Sequence, residues 1–122
     1  MILGLGSDIC PAARWAHLIE RFGPEKCCAK ILHPDEAAYL LGGNRDRLAE
    51  RLAGRWALRE AFGKALGVGL DGWSWKELRY KNGRLKAEGK LAARMEKLGA
   101  TRLHGTVAHD GGLSVATVIL EG

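Results

Sequence analysis

The segment from about Arg45 or Asp46 to Leu66 constrains the fold most, because its apolar residues fall on two stripes of one long helix. Leu48, Leu52, Trp56, Glu60 and Lys64 lie on a single i, i+4 row, and Leu58, Phe62, Ala65 and Leu66 supply a second apolar stripe. A helix apolar on more than one side must be packed on more than one side, so it belongs at the centre of the molecule. Its first row changes character along its length, from leucine and tryptophan to glutamate and lysine. Gly67-Val-Gly69 is the expected C-terminal stop.

The first strand, Ile2 to Ile9, is the natural partner. Ile2, Gly4, Gly6 and Asp8 share one face; Leu3, Leu5, Ser7 and Ile9 share the other. Two glycines beside Asp8 let a helix, a ligand or a neighbouring subunit come close to the backbone. Pro11 fits the first position of a helix running to about Arg21, with Trp15, Leu18, Ile19 and Phe22 on one side. Gly23-Pro24 ends it, a short helix from about Glu25 to Ile31 follows, and His33-Pro34-Asp35-Glu36 opens another that stops by Gly42-Gly43-Asn44. Beyond the long helix, Trp73 to Tyr80 and Arg84 to Ala87 read as strands joined by an Asn82-Gly83 turn. Gly89 to Leu98 reads as a helix with Leu91, Met95 and Leu98 inward. Thr101 to His109 and Leu113 to Leu120 form a closing hairpin. The predicted class is α+β, a single domain over residues 1–122, with helices, one of them long and central, packed on a small, mainly antiparallel sheet.

Composition narrows the function. A net charge of +5 calls for an acidic or phosphorylated partner. Aromatic residues make up only 7%, too few for a base-stacking surface. No stretch approaches a membrane span, and the three cysteines, Cys10, Cys27 and Cys28, fit no zinc-ligand spacing with His33. Asp8 interrupts the apolar start before it could serve as a secretory signal, so a reduced, cytoplasmic protein is expected.

Chemistry concentrates on few residues. Asp8 ends an apolar strand, and Glu60 and Lys64 stand a turn apart on the long helix. Two carboxylates able to converge on a hard cation, with a lysine beside them, form a phosphate-transfer set. By spacing alone Glu60 and Lys64 also make an ordinary helical ion pair, and Asp8 an ordinary turn or cap residue. Arg45, Arg47, Arg51, Arg55 and Arg59 crowd one segment, either as a solvated face or as phosphate donors. His104 and His109, five apart on a strand, point to opposite faces.

The chain resembles the holo-[acyl-carrier-protein] synthases, small bacterial 4'-phosphopantetheinyl transferases, along essentially its whole length. The likeness is carried by Ile2-Leu-Gly-Leu-Gly6-Ser7-Asp8-Ile9, by Leu52-Ala-Gly-Arg55-Trp56-Ala-Leu-Arg59-Glu60-Ala-Phe-Gly-Lys64-Ala-Leu-Gly67-Val-Gly69, and by His104-Gly-Thr106-Val-Ala-His109-Asp110 with Ser114-Val-Ala-Thr-Val-Ile-Leu after it. The resemblance implies transfer of 4'-phosphopantetheine from coenzyme A to a serine of an acidic acyl carrier protein. It implies Asp8 and Glu60 as ligands of Mg2+ (or Mn2+), and Lys64 as the lysine on the phosphates. It places Arg55, His104, Gly67 and Gly69 with Lys64 at coenzyme A, and Arg14 and Arg21 at the carrier protein. It further implies a homotrimer with sites between subunits, an arrangement suited by the side-chain-free face beside Asp8.

Two positions depart from the family pattern. Arg59 stands where a lysine is usual, keeping the charge but not the geometry, and Ala108 where a serine or threonine is usual, losing one hydroxyl; neither touches the metal-and-lysine set. Two rival readings frame the expectation. A basic nucleic-acid-binding domain would use the arginine cluster, but it lacks a motif and leaves Asp8 and Glu60 as opposing charge. An inactive, carrier-binding relative would have no use for Asp8, Glu60 and Lys64 together. Neither nucleic acid nor membrane is an expected partner.

Overall fold

A computed structural model describes residues 1–67 and 74–122. The described elements run β1 (Ile2–Pro11), α1 (Ala12–Phe22), α2 (Pro24–Ile31), α3 (Pro34–Leu41), a 3-10 turn Arg45–Arg47, and α4 (Leu48–Leu66). A second 3-10 turn, Trp75–Glu77, then leads to β2 (Leu78–Lys81), β3 (Arg84–Ala87), α5 (Gly89–Leu98), β4 (Arg102–Asp110) and β5 (Leu113–Glu121). The class is α+β, as the sequence predicts. Both sheets are antiparallel: a three-stranded sheet in the order β1-β5-β4, and the β2-β3 hairpin.

α4 is the axis of the molecule. Leu52, Ala53, Ala57, Leu58, Ala61 and Phe62 are fully buried, because α4 packs on β1 and β5 on one side and on α1 on another. The register Gly4↔Leu120, Gly6↔Val118, Asp8↔Ala116 turns Gly4, Gly6 and Asp8 toward α4, while a bulge between Ile2 and Gly4 takes Ile2, expected on their face, to the other one. A Cβ at Gly4 would run into the Ala65 carbonyl oxygen, and one at Gly6 into that of Ala61. Glycine at both positions is what lets helix and strand backbones touch. The side-chain-free face is therefore occupied by the chain's own helix. It is not available to a neighbouring subunit, which corrects the use the sequence reading made of it.

Local signals explain most boundaries. The Asn82-Gly83 turn carries positive φ at both residues, 52° and 73°, the type I′ geometry of a two-residue hairpin loop. Gly67 ends α4 in the left-handed region at φ 71°. Pro11 proves to be the cap of α1, with extended backbone, rather than its first helical residue. The strand expected over 73–80 is shorter: the Ser74 hydroxyl accepts from the Lys76 amide and starts a 3-10 turn, so β2 begins only at Leu78. Trp73 and Gly69 lie outside the described residues. Two residues expected inside are on the surface, Phe22 at 50% and Leu98 at 41% exposure, because each stands at the last turn of its helix, beyond the packed part.

Candidate active site

β1 and α4 bring the predicted set together. The Lys64 Nζ donates to Asp8 Oδ1 at 3.1 Å and to the Ser7 carbonyl oxygen at 3.1 Å. Lys64 is thus not tied to Glu60, as helical spacing alone would have it; it reaches across to the strand. Glu60 is half-buried beside this pair. Burial pushes its carboxyl pKa up, and the negative charge of Asp8 pushes it further, while the cations of Lys64 and Arg14 pull the other way. Glu60 thus feels one carboxylate, Asp8, and two cations, Lys64 and Arg14.

That donor set fits a hard divalent cation. It is all oxygen, and one or two carboxylates are the usual protein share of a Mg2+ site that also takes water and substrate phosphate. Among the described residues no group of three or more His, Cys, Asp or Glu side chains could hold a metal.

Arg14 sits beside the same centre. Its Nη1 lies 3.8 Å from the Cys10 Sγ, and its charge is felt by both Cys10 and Glu60. Arg21, two turns further along α1, is exposed, with its guanidinium 5.1 Å from the Phe22 ring centroid.

Other predicted residues do not converge with this set. Arg55 and Arg59 occupy a different row of α4, facing α3 and β2. There they share the carboxylate of Glu36: Arg55 Nε donates to Oε2 at 3.0 Å and Arg59 Nη2 to Oε1 at 3.3 Å. The Tyr80 amide donates to the same Oε1 at 3.2 Å, and the Arg55 guanidinium lies 4.8 Å from the Tyr80 ring centroid. Arg59 is completely buried and spends its remaining N–H groups on the carbonyls of Arg55, Trp75 and Leu78. Burial pulls its pKa down against the opposing pull of Glu36. Within the arginine cluster, these two are not a solvated face; both are buried and held by Glu36.

His104 points outward from β4 toward Glu121, with 3.0 Å between Nε2 and Oε1, two strands away from Asp8. His109 points inward, as the odd spacing predicts, and lies 2.7 Å from the Ser114 Oγ. Glu36 and Tyr80 were not singled out in the sequence. The available signal was Glu36 and Leu40 on one i, i+4 row beside Ala37, which marks Glu36, though an acid of the first turn like Asp35, as inward.

The family model of the 4'-phosphopantetheinyl transferase superfamily matches residues 4–118. The chain belongs to that superfamily. The holo-[acyl-carrier-protein] synthase of Anaeromyxobacter dehalogenans strain 2CP-1 is 41% identical over 130 residues, covering 100% of this chain and 98% of the relative. The holo-[acyl-carrier-protein] synthase of Neisseria meningitidis has a crystal structure that matches with TM-score 0.86 at 26% identity, over 100% of both chains. That of Bacillus anthracis, solved in complex with coenzyme A (3',5'-ADP), matches with TM-score 0.76 at 27% identity, over 98% of this chain and 96% of the other. Fold and family agree with the motifs: this is an enzyme of the phosphopantetheinyl transferase class.

Proposed function

We propose that the protein moves 4'-phosphopantetheine from coenzyme A to a serine hydroxyl of an apo acyl carrier protein and releases adenosine 3',5'-bisphosphate. The convergence of Asp8, Glu60 and Lys64 across the β1–α4 contact carries this reading, with Lys64 3.1 Å from Asp8. The serine oxygen forms a bond to the β-phosphorus as the bridging bond to the nucleotide phosphate breaks, and the bonding pair leaves with the nucleotide. Lys64 is the protein's cation for the charge that builds on the phosphate oxygens. Asp8 and Glu60 are the residues that hold Mg2+ or Mn2+, which when bound adds Lewis-acid charge at the pyrophosphate. The serine proton goes to Glu60, directly or through a water, or to Asp8.

Arg14 and Arg21 place exposed cations on α1 for an acidic carrier protein. Ile2, Leu5, Ile9, Leu113 and Val115 are exposed on the sheet face away from α4, an apolar surface suited to other copies of this chain in a trimer. His104 lies on that outward face, where it would meet a neighbour's coenzyme A rather than its own. Gly67 stands at the nucleotide end of the α4 row. Arg55, held by Glu36, supports α4 rather than reaching the substrate. Residues 1–122 act as one transferase domain in the cytoplasm; among the described residues no helix is long and apolar enough to cross a membrane.

The test is release of adenosine 3',5'-bisphosphate, followed by chromatography with an apo carrier, coenzyme A and Mg2+. Release that needs the carrier and falls at least about a hundredfold in Lys64→Ala supports the reading. Release without the carrier, or unchanged in Lys64→Ala, refutes it.

A further inference from the structure

β5 ends beside His104 with a carboxylate that the proposed transfer does not use. Glu121 stands directly opposite Arg102 in the β4–β5 register, and His104, two residues further along β4, shares the face of Arg102. Both side chains converge on a single oxygen: the Glu121 Oε1 lies 3.0 Å from the His104 Nε2 and 3.1 Å from the Arg102 Nε. The Met1 ammonium, which donates to the Gly122 carbonyl oxygen at 2.9 Å, adds its charge nearby. The hydrogen bond from His104 and these cations hold the Glu121 carboxyl below its ordinary value, so at neutral pH it is ionised and can only accept.

That fixes the imidazole. An acceptor-only partner at 3.0 Å requires a proton on Nε2, since the tautomer of a histidine is set by the bonds its ring nitrogens make. Among the described residues no group hydrogen-bonds the other ring nitrogen, Nδ1. The ring lines a cavity of about 300 Å³ between the β2–β3 hairpin and β4, together with Gly83, Arg84 and Leu103, whereas Glu121 does not line it. Glu121 therefore acts on what the cavity holds only through the ring.

We propose that Glu121 is a positioning residue for His104: it holds the proton on Nε2 and fixes the turn of the ring, so that Nδ1 is the edge offered to a neighbouring copy's coenzyme A. The role rests on the place of His104 in the proposed function. With the ring neutral, Nδ1 accepts from an N–H or O–H of the nucleotide; with the ring protonated, it donates to a phosphate oxygen. In either form the bond to Glu121 sets the direction beforehand, and losing that bond frees a side chain that binding must then order. Ordering one such side chain is worth about a two- to tenfold change in affinity.

The experiment measures KM for coenzyme A and kcat with a saturating apo carrier, release of adenosine 3',5'-bisphosphate being the readout. The parent is compared with Glu121→Ala, Glu121→Gln, His104→Ala and the double variant Glu121→Ala with His104→Ala. Glu121→Ala should raise KM about two- to tenfold and leave kcat within about twofold of the parent. Glu121→Gln, whose amide can accept or donate and so no longer selects the tautomer, should fall between the two. In the His104→Ala background Glu121→Ala should cost nothing further. A carboxylate that only braces the end of β5 would act as strongly without His104, so a double variant whose KM loss is the product of the two single losses overturns the proposal. So does a rise in KM below about twofold in Glu121→Ala, or a fall in kcat with KM unchanged. Should Glu121→Ala fail to fold, Glu121→Gln, which keeps the side chain's shape, takes its place in the same comparison. If His104→Ala leaves both constants unchanged, the place of His104 at coenzyme A fails and the positioning role with it. If the parent gives no transfer, the proposed function fails first.

Discussion

Replacing Glu36 tests the buried ion network that sets the pose of α4. Glu36 is 6% exposed, and its carboxylate serves Arg55, Arg59 and the Tyr80 amide at once. Removing one partner of a buried pair costs about 3–5 kcal/mol, chiefly because the other charge is left without compensation. Here the stranded charge is Arg59, with no exposure at all, but three backbone carbonyls still accept from it. Glu36→Gln keeps the side chain's shape and one acceptor oxygen, so its loss belongs at the low end, about 3 kcal/mol. Glu36→Ala also opens a void and should cost about 5 kcal/mol. Against the usual total stability of about 5–15 kcal/mol, either is severe. Urea unfolding at neutral pH should show the midpoint falling in that order, with a melting temperature lower by on the order of 10 °C for Glu36→Gln. A Glu36→Gln protein within about 0.5 kcal/mol of the parent, the range of an ordinary surface substitution, would refute the reasoning. Arg59 would then be held by its carbonyls alone.

Other outcomes follow from the same geometry. Gly6→Ala should cost about 3 kcal/mol and most of the transfer activity, since its Cβ meets the Ala61 carbonyl and α4 must retreat from Asp8; a variant with native melting temperature and rate would contradict the close contact. The three cysteines are buried, and burial pushes the Cys28 thiol up to about 11, so a thiol reagent at pH 8 should label native protein slowly and titrate all three only after unfolding. The Glu121 carboxyl is lowered by its hydrogen bond with His104 and by the charges of Arg102 and His104. Its contribution to stability is therefore present above the ordinary value of 4.5 and is lost as pH falls through the depressed folded value. NMR titration should find that carboxyl below 4.5 and moving up in His104→Ala; an unchanged midpoint would remove the pairing.

The sequence was most legible where local chemistry and periodicity agreed. Asn82-Gly83 fixed a hairpin because both residues tolerate positive φ, and the apolar rows of 48–66 fixed a central helix because only burial on several sides satisfies them. Asp8, Glu60 and Lys64 could be grouped because two glycines on the Asp8 face announced a close approach, although not by what. The Arg55–Glu36–Arg59 network was hidden because it joins residues 19 and 23 positions apart through tertiary packing, and because arginine density on a helix reads as a solvated face until its burial is known. The shortened β2 was hidden for the opposite reason: a single hydroxyl, on Ser74, outcompeted the strand pattern around it.

The central claim is most directly tested by the intact mass of an apo acyl carrier protein after incubation with this protein, coenzyme A and Mg2+. The account predicts a gain of one phosphopantetheine on the carrier, lost with EDTA and lost with Asp8→Ala or Glu60→Ala even though both variants fold. An unmodified carrier, or a modification that survives removal of either carboxylate, would contradict it.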